Sequence, residues 1–590
     1  MGISWLDWSL IAGYFAFSLL VGLYFSRRAG KDINEYFISG RNLPWWLAGT
    51  SMVATTFAAD TPLAVNQFVY EHGIAGNWIW WCAVLNGMLT VFLFARLWRR
   101  VGVLTDQELA EIRYGGSPAS FLRGFRALYL GIIANCIIMG WVINAGISIV
   151  EVSLNLNRWV AVLVCLGITV IYSGLSGLWG VIITDFFQFI IAMGGAIILA
   201  VFALDKVGWV DGLKSQMIAL YGAERASEIF QFAPQLGSAW LPLSLFLVYI
   251  GIQWWASWYP GAEPGGGGYI AQRIFSAKDE RHSLLATLWF NIAHYALRPW
   301  PWILVGLCSL VLLPGLSKPQ EGYVRLMVQL LPAGFLGLLL ASFAAAFMST
   351  ISTHLNWGAS YIINDFYRRF VKKDAPEKHY VFVSRLCTFV LMAVAGLVGY
   401  AMESIRSGWE LLLTIGAGTG LVYILRWYWW RINAWSEISA MIAALVVSLA
   451  LRFSHFAERF FPNSPRYAVE MLITVGFTSL VWILVTFLTP PEDDKVLAEF
   501  VRRAKPAGAG WRKIRKKLGE LPPSPDHLGI NFSLWILGSG LIYCALFGIG
   551  KLILKDYLWA GVLLGLGLIL GIGVYHLILR TLAIYQEREG

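Results

Sequence analysis

The chain has 590 residues, of which 58% are hydrophobic and 14% are charged, and its mean hydropathy is +0.63. A soluble protein of this length has about a quarter charged residues, so the composition excludes a set of water-exposed domains. The formal net charge of +10 does not indicate a nucleic-acid partner, because the basic residues lie in short connections between apolar segments. These features predict a membrane protein.

Apolar runs with almost no charge recur along the whole chain. About 20 such residues cross the ~30 Å hydrocarbon core, and lipid forces the backbone groups to hydrogen-bond within the segment, which favours helices. The short alternating segments of an outer-membrane barrel do not occur in the sequence. We therefore predict an all-α polytopic membrane protein with about 15 spans. The predicted spans are 5–26, 43–70, 75–98, 122–153, 159–174, 178–204, 239–259, 283–314, 332–365, 379–402, 408–430, 434–455, 468–489, 531–552 and 557–581.

The connections between these spans alternate in charge, and every second connection is rich in Lys and Arg. The positive-inside rule places the basic set in the cytoplasm, with the amino terminus outside and the carboxyl terminus inside. The first span is expected to be retained, because its positive charges, Arg27 and Arg28, follow it instead of preceding it. The predicted location is the plasma or inner membrane, with lipid as a partner and with the protein acting as a monomer.

One long connection, residues 490–530, is strongly basic. We interpret it as a solvated cytoplasmic linker that faces lipid headgroups. It contains no P-loop, and none occurs elsewhere in the sequence, so the chain is not expected to act alone as an ATP-driven pump.

Two predicted spans contain helix-breaking residues in mid-membrane. The second span contains Asp60-Thr61-Pro62, and the seventh ends in YPGAEPGGGGY at residues 259–269. Proline and glycine disfavour a continuous helix, and unwound backbone at membrane depth persists only where it lines a cavity or packs against protein. Breaks at matching positions of two halves indicate a transporter site near the midplane. The alternative is that both breaks are ordinary proline and glycine positions.

The ninth span is rich in hydroxyl groups. Ser349, Thr350 and Thr353 share a helical face with Ala346, and Ser352 lies at its margin. A transported sodium ion needs several neutral oxygen ligands, which these hydroxyls and freed carbonyl groups supply. The alternative is that each hydroxyl bonds its own helix backbone or a neighbouring helix.

Asp185 lies inside the sixth span. A carboxylate at membrane depth is costly and indicates function, here with a cation as its partner. The alternative is a capping or gating hydrogen bond near the cytoplasmic surface.

Five segments together resemble the sodium:solute symporter family. They are DINEYFISGRNLPWW at 32–46, GTSMVATTFAAD at 49–60, YSGLSGLWGVIITDFFQ at 172–188, YIAQRIFSAKD at 269–279 and AAAFMSTIST at 344–353. The resemblance covers about three quarters of the chain. It implies a leucine-transporter-type fold, in which two inverted five-helix repeats are flanked by extra helices. The implied segments are 1–42 (first span and loop), 43–204 (first repeat), 205–431 (second repeat), 432–489 (spans 12 and 13), 490–530 (basic cytoplasmic linker) and 531–590 (spans 14 and 15 with the tail).

The resemblance also implies sodium ligands. The main site would use the carbonyl groups of Ala54, Phe57 and Ala346 with the hydroxyls of Ser349 and Thr350. Some members bind a second sodium ion at positions that match Asp185, Ser349, Ser352 and Thr353. One or two sodium ions per cycle are therefore expected.

The resemblance further implies a substrate position at Thr56 in the second span, and Asp60 matches a polar or acidic position one turn further on. In the eighth span, Asn291, His294 and Arg298 have i, i+3 and i+7 spacing, which predicts a single face. Arg298 suggests a carboxylate partner, either on the substrate or on Asp60. The alternative is a structural ion pair or a histidine satisfied by packing. The PGAEPGGGG segment departs from the family pattern, so no role is carried over to it.

These features favour a sodium-coupled symporter that imports a small polar organic solute, such as a sugar, an amino acid or a carboxylate. Proton coupling is an alternative, because Asp60, Asp185 and His294 can all titrate. A solute sensor is a weaker alternative, since relatives are fused to signalling kinases. No catalytic motif indicates an enzyme.

Overall fold

The structure is a computed structural model, and it describes residues 3–29, 41–103, 106–172, 178–235, 237–238, 241–519 and 521–589. Apart from one bridge between Leu43 and Ala277, the described residues contain helices, turns and loops only. The all-α class is therefore confirmed. Residues 32–40 and 173–177, which belong to two of the motifs above, lie outside the described residues.

The first ten long helices run from the amino terminus to residue 312. They are α1 (Trp5–Ala29), α2 (Trp45–Thr55), α3 (Asp60–His72), α4 (Ile74–Val101), α5 (Gly116–Leu154), α6 (Arg158–Tyr172), α7 (Leu178–Lys206), α8 (Leu243–Ala256), α9 (Gly268–Ser276) and α10 (Glu280–Leu312). Shorter helices connect them at Glu108–Arg113, Trp209–Tyr221 and Ala223–Ile229.

Ten further helices complete the chain. They are α11 (Phe335–Val371), α12 (Glu377–Ala401), α13 (Ile405–Ile415), α14 (Gly420–Tyr428), α15 (Ala434–Phe453), α16 (Arg466–Leu488), α17 (Asp494–Ala504), α18 (Arg512–Leu518), α19 (Leu528–Ile553) and α20 (Tyr557–Glu589). Short helices also occur at Gly322–Leu330 and Phe456–Phe460.

Among the described residues, 10 helices are long and apolar enough to cross a membrane, or up to 11 if the bent pair α13 and α14 forms one span. The count of 15 stays a prediction. The two broken spans consist of half-helices too short for this test, and α1 and α6 are described only in part. A test based on helix length therefore does not count spans that consist of two short half-helices.

The first predicted break is present, but it lies slightly earlier than expected. Helix α2 ends at Thr55 and α3 begins at Asp60, so residues 56–59 form the interruption. Asp60-Thr61-Pro62 instead forms the first turn of α3. Backbone N–H groups in a first turn have no partner within the helix, so a proline there costs no hydrogen bond. The second break is longer, because residues 257–267 separate α8 from α9.

The two halves of the first broken span lie in the middle of the protein. Helix α2 packs against α10 and α7, and α3 packs against the later part of α10 and against α13. Most residues of both half-helices are buried, although Trp45 and Trp46 at the start of α2 are exposed. The unwound residues are thus surrounded by protein instead of lipid, as the membrane environment requires.

The basic linker is not the solvated segment that we predicted. Leu497, Phe500 and Val501 of α17 are fully buried, and Trp511 donates its indole N–H to the Trp427 carbonyl at 2.8 Å. The guanidinium group of Arg113 lies 5.3 Å from the Phe500 ring centre, in a cation–π contact. The prediction counted charges and overlooked the apolar i, i+3, i+4 spacing, which docks this helix on the core.

Candidate functional site

A cavity of about 90 Å³ lies beside the break between α2 and α3. Its lining comes from both broken spans and from α4, α5, α10, α11 and α13. The space is sufficient for several water molecules or part of a small solute. Aromatic side chains form much of the wall, namely Trp80, Trp141, Tyr259, Tyr269, Tyr295 and Trp409.

Some of the predicted sodium residues lie at this break or line the cavity beside it. The Ala54 carbonyl accepts a 2.9 Å hydrogen bond from the Phe57 N–H, which gives a tight turn at the end of α2. Thr350 and Thr353 of α11 line the same cavity as Thr55 and Thr56. The structure thus brings the unwound backbone and the hydroxyl-rich helix to one space.

The hydroxyl groups of α11 also bond their own helix. Thr350 donates to the Ala346 carbonyl at 2.8 Å, and Ser352 donates to the Ser349 carbonyl at 3.2 Å. These are the local bonds that the alternative interpretation requires. A hydroxyl that donates its proton still has oxygen lone pairs for a cation, so these bonds leave both interpretations open.

Asp185 is buried against α2. Its Oδ2 accepts a 3.0 Å hydrogen bond from Ser51 Oγ and a 3.5 Å bond from Thr55 Oγ1. Arg273 of α9 donates to the same Thr55 hydroxyl at 3.2 Å and acts electrostatically on Asp185. Asp185 therefore links α7 to both broken spans, which is the arrangement expected of a gating contact.

Arg298 is fully buried and lies behind the cavity wall. Its Nη1 donates to the Val53 carbonyl at 2.9 Å and to Thr56 Oγ1 at 3.2 Å, and its Nη2 donates to the Thr56 carbonyl at 3.2 Å. Carbonyl groups at the end of a helix have no intrahelical partner, so Arg298 supplies the donors that α2 lacks. Its charge also complements the carbonyl end of the helix dipole.

Two other predicted substrate residues face the cavity directly. Asp60 is 3% exposed, and within the described part of the chain its Oδ1 accepts no hydrogen bond. The Nδ1 atom of the His294 ring lies 3.1 Å from Thr56 Oγ1. Thr56 therefore connects a cavity-facing histidine to the buried Arg298.

Asn291 lies away from these residues. It lines a separate small cavity with Thr90, Glu263 and Thr287, and its Nδ2 donates to the Thr287 carbonyl at 2.8 Å. A π-helical turn at Ile292–Leu297 shifts the phase of α10, so the i, i+3, i+7 spacing does not give one common surface. The structure brings Thr56, Asp60 and His294 together but does not add Asn291 to them.

Sequence reasoning missed several residues of the site. Gln253 lines the cavity and donates to the Ile79 carbonyl at 2.6 Å, and Ser51 and Arg273 form the surroundings of Asp185. No local motif distinguishes these side chains from ordinary packing residues. Only the packing of distant helices identifies them.

A cavity with aromatic and polar lining between two interrupted spans is the arrangement of a solute transporter. The family model "Sodium:solute symporter family" matches residues 36–444, and the chain belongs to this family. The chain is a transporter and not an enzyme, and the relatives described below are transporters too.

Similar proteins support this assignment. The sodium/glucose cotransporter of Vibrio parahaemolyticus is 24% identical, with 84% of this chain and 92% of that protein covered. Sodium/glucose cotransporter 4 of Danio rerio is 25% identical, with 83% and 80% covered. Sodium/myo-inositol cotransporter 2 of Mus musculus is 26% identical, with 82% and 76% covered.

A solved structure of a sodium-coupled sialic acid symporter shares the fold. Its TM-score is 0.64 at 19% identity, and the match covers 83% of this chain and 99% of that one. The likeness supports the leucine-transporter-type architecture that the sequence predicts. Sodium-coupled symport in a multi-pass membrane protein is supported by the family membership and the sequence relatives.

Proposed function

We propose that this protein is a secondary active symporter that uses the inward flow of sodium ions to import a small, neutral, hydroxyl-rich solute. The observation that carries the proposal is the shared cavity, in which the unwound end of α2 faces the hydroxyl groups of α11. Alternating access around this site requires no covalent chemistry. The protein lies in the plasma or inner membrane, with its amino terminus outside and its carboxyl terminus in the cytoplasm.

The proposed main sodium site consists of the carbonyl groups of Ala54, Phe57 and Ala346 and the hydroxyl groups of Ser349 and Thr350. Burial of Ala54, Phe57 and Ala346 supports it, because a partly dehydrated ion gains most from fixed oxygens in a dry site.

A second sodium ion at Asp185, Ser352 and Thr353 stays a hypothesis. The bonds of Asp185 to Ser51 and Thr55 favour a gating role instead. A sodium titration of uptake separates the two roles, since a second ion requires a Hill coefficient above one that Asp185→Ala lowers.

The solute class follows from the charges at the cavity. Arg298 is held by the end of α2, while the acidic side chain of Asp60 belongs to the cavity lining. Such a wall favours a solute that donates hydroxyl hydrogen bonds over one that brings its own carboxylate. The aromatic lining supports the same class, since rings pack on the apolar faces of sugars and polyols. The relatives described as glucose and myo-inositol cotransporters agree with it.

Thermal unfolding of the purified protein with a solute panel tests this assignment. A ligand at 100 times its Kd stabilises the folded state by about 2.7 kcal/mol. We expect glucose-like or inositol-like compounds to raise the melting temperature with sodium chloride present, but not with potassium chloride. Asp60→Asn should abolish this shift.

Asp211→Asn is the matched control, since Asp211 is an exposed acid far from the cavity, paired with Lys555. It should keep the shift. A shift produced by amino acids or carboxylates, and not by polyols, would contradict the proposed solute class.

A further inference from the structure

The second break contains a buried carboxylate that the proposed sodium and solute sites do not use. Glu263 lies in the PGAEPGGGG segment between α8 and α9 and is 3% exposed. Its Oε2 accepts a hydrogen bond of 3.2 Å from the Gly261 N–H. Among the described residues it forms no ion pair with Arg, Lys or His, and the neighbouring charge that acts on it is the like charge of Asp106.

The glycine run shapes the backbone around this carboxylate. Gly261, Gly265, Gly266 and Gly268 all have positive φ, between 54° and 86°. This region is accessible to glycine at little cost and strained for other residues. At Gly268 a Cβ atom would also collide with the Glu263 carboxylate. The glycines of the segment are therefore explained by positive φ and close packing, which at Gly267 and Gly268 is against Glu263 and at Gly265 and Gly266 is against Tyr423 and Trp98.

A small cavity of about 10 Å³ adjoins Glu263. This volume is about that of one water-sized occupant. It borders the main cavity, because Gly261 and Phe290 line both. Asn291 and Thr90 line its other sides, so α4, α10 and the second break all contribute to it.

Asn291 provides the independent evidence for a ligand. Its side chain is fully buried, and its Nδ2 donates a hydrogen bond to the Thr287 carbonyl at 2.8 Å. This bond sets the orientation of the amide group, so Oδ1 points away from Thr287. Within the described residues Oδ1 has no hydrogen-bond donor. It lies against Gly87, where any side chain would collide with it. A buried acceptor without a donor is costly, by about 1–3 kcal/mol.

Neighbouring Asn86 repeats this pattern, since its Nδ2 donates to the Ala262 carbonyl and its Oδ1 has no partner in the described part. The lining of the small cavity thus contains a carboxylate and, at Asn291, an amide oxygen without a donor in the described part of the chain, and Asn86 directly precedes the lining residue Gly87. One water molecule can donate two hydrogen bonds but does not balance the negative charge of the ionised carboxylate, which burial alone disfavours. A small cation satisfies the oxygens and the charge together.

We propose that the small cavity binds one monovalent cation between Glu263 and Asn291, at the break of the second half. A single carboxylate with neutral oxygens balances one positive charge, and oxygen ligands suit alkali ions. The site is separate from the proposed sodium site at the first break and does not depend on the identity of the solute. With this site, one cation binds at each of the two broken spans.

Cation-dependent thermal stability of the purified full chain tests the proposal. Melting temperatures are compared in lithium, sodium or potassium chloride against choline chloride at fixed pH. In the Thr350→Val background, which weakens the proposed main sodium site, at least one of the three ions should still raise the melting temperature. Adding Glu263→Gln should abolish this remaining shift. In choline chloride alone, Glu263→Gln should unfold at the same or a higher temperature, because the uncompensated charge is gone.

Asn291→Leu supplies a second test from another helix and keeps the proposal falsifiable if Glu263→Gln fails to fold. We expect it to weaken the remaining cation response about tenfold or more, as for loss of one polar contact to a charge. An unchanged remaining response in both variants would overturn the proposal, as would the absence of any response in Thr350→Val alone. A third outcome is a cation response that stays at the wild-type level in Thr350→Val and is abolished by Glu263→Gln. This result would support the site at Glu263 and contradict the proposed main sodium site.

Discussion

Thr350→Val should weaken sodium activation of uptake by about tenfold or more. The change keeps the shape of the side chain and removes the hydroxyl that faces the cavity beside the first break. A polar contact to a charged group contributes about 1.5–3 kcal/mol, and 1.4 kcal/mol corresponds to a factor of ten in affinity. The measurement is initial uptake as a function of sodium concentration, in cells or in liposomes.

Thr350→Ser is the matched control, because it retains the hydroxyl and its bond to the Ala346 carbonyl. It should keep a sodium dependence close to that of the wild type. If valine and serine behave alike, the Thr350 hydroxyl only bonds its own helix, and the proposed ligand set is wrong at this position.

Arg298→Gln should reduce uptake severely and lower the melting temperature. The substitution removes the charged donor from the Val53 and Thr56 carbonyls and leaves Asp60 without the nearby positive charge. Loss of a hydrogen bond from a charged group costs about 1.5–3 kcal/mol, and Arg298 makes several. Because these carbonyls flank Ala54 and Phe57, the apparent affinities for sodium and for solute should fall together.

The joint loss distinguishes a positioning role from direct solute contact. A residue that touches only the solute would change the solute affinity and leave the sodium affinity and the stability of the solute-free protein unchanged. Arg298→Lys should recover part of the stability, since it restores the charge without the planar fork of donors. Full uptake and affinity in Arg298→Gln would contradict both roles.

The sequence allowed the membrane class, the helical fold and both breaks to be predicted. These features depend on local composition, because apolar runs predict spans and clustered proline and glycine predict interruptions. The first break was placed a few residues late, since proline is well tolerated in the first turn of a helix and so marks the start of α3.

The composition of the site was less accessible from the sequence. The spacing of Asn291, His294 and Arg298 suggested one face, but the π-helical turn between them and the packing of α2 separate their environments. The bond between Ser51 and Asp185 joins residues 134 positions apart. No periodicity in the sequence encodes such a contact.

For the basic linker, the charge composition predicts a solvated segment, whereas the structure shows a helix packed on the protein core. Its charges are real, but the apolar residues of α17 and Trp511 contact the core at Trp427 and Arg113. A helical periodicity analysis of this short segment would have predicted a docked amphipathic helix. The second break is a comparable case, since its glycines gain a structural reason only from the positive φ and close packing of the folded backbone.

The most direct test of sodium-coupled symport is solute accumulation in liposomes that contain the purified protein, at equal pH on both sides. We predict that an inward sodium gradient drives accumulation of a polyol or sugar above its external concentration. An equal potassium gradient should not do so, and a protonophore should not prevent it. Accumulation that requires an inward proton gradient and proceeds without sodium would contradict the account.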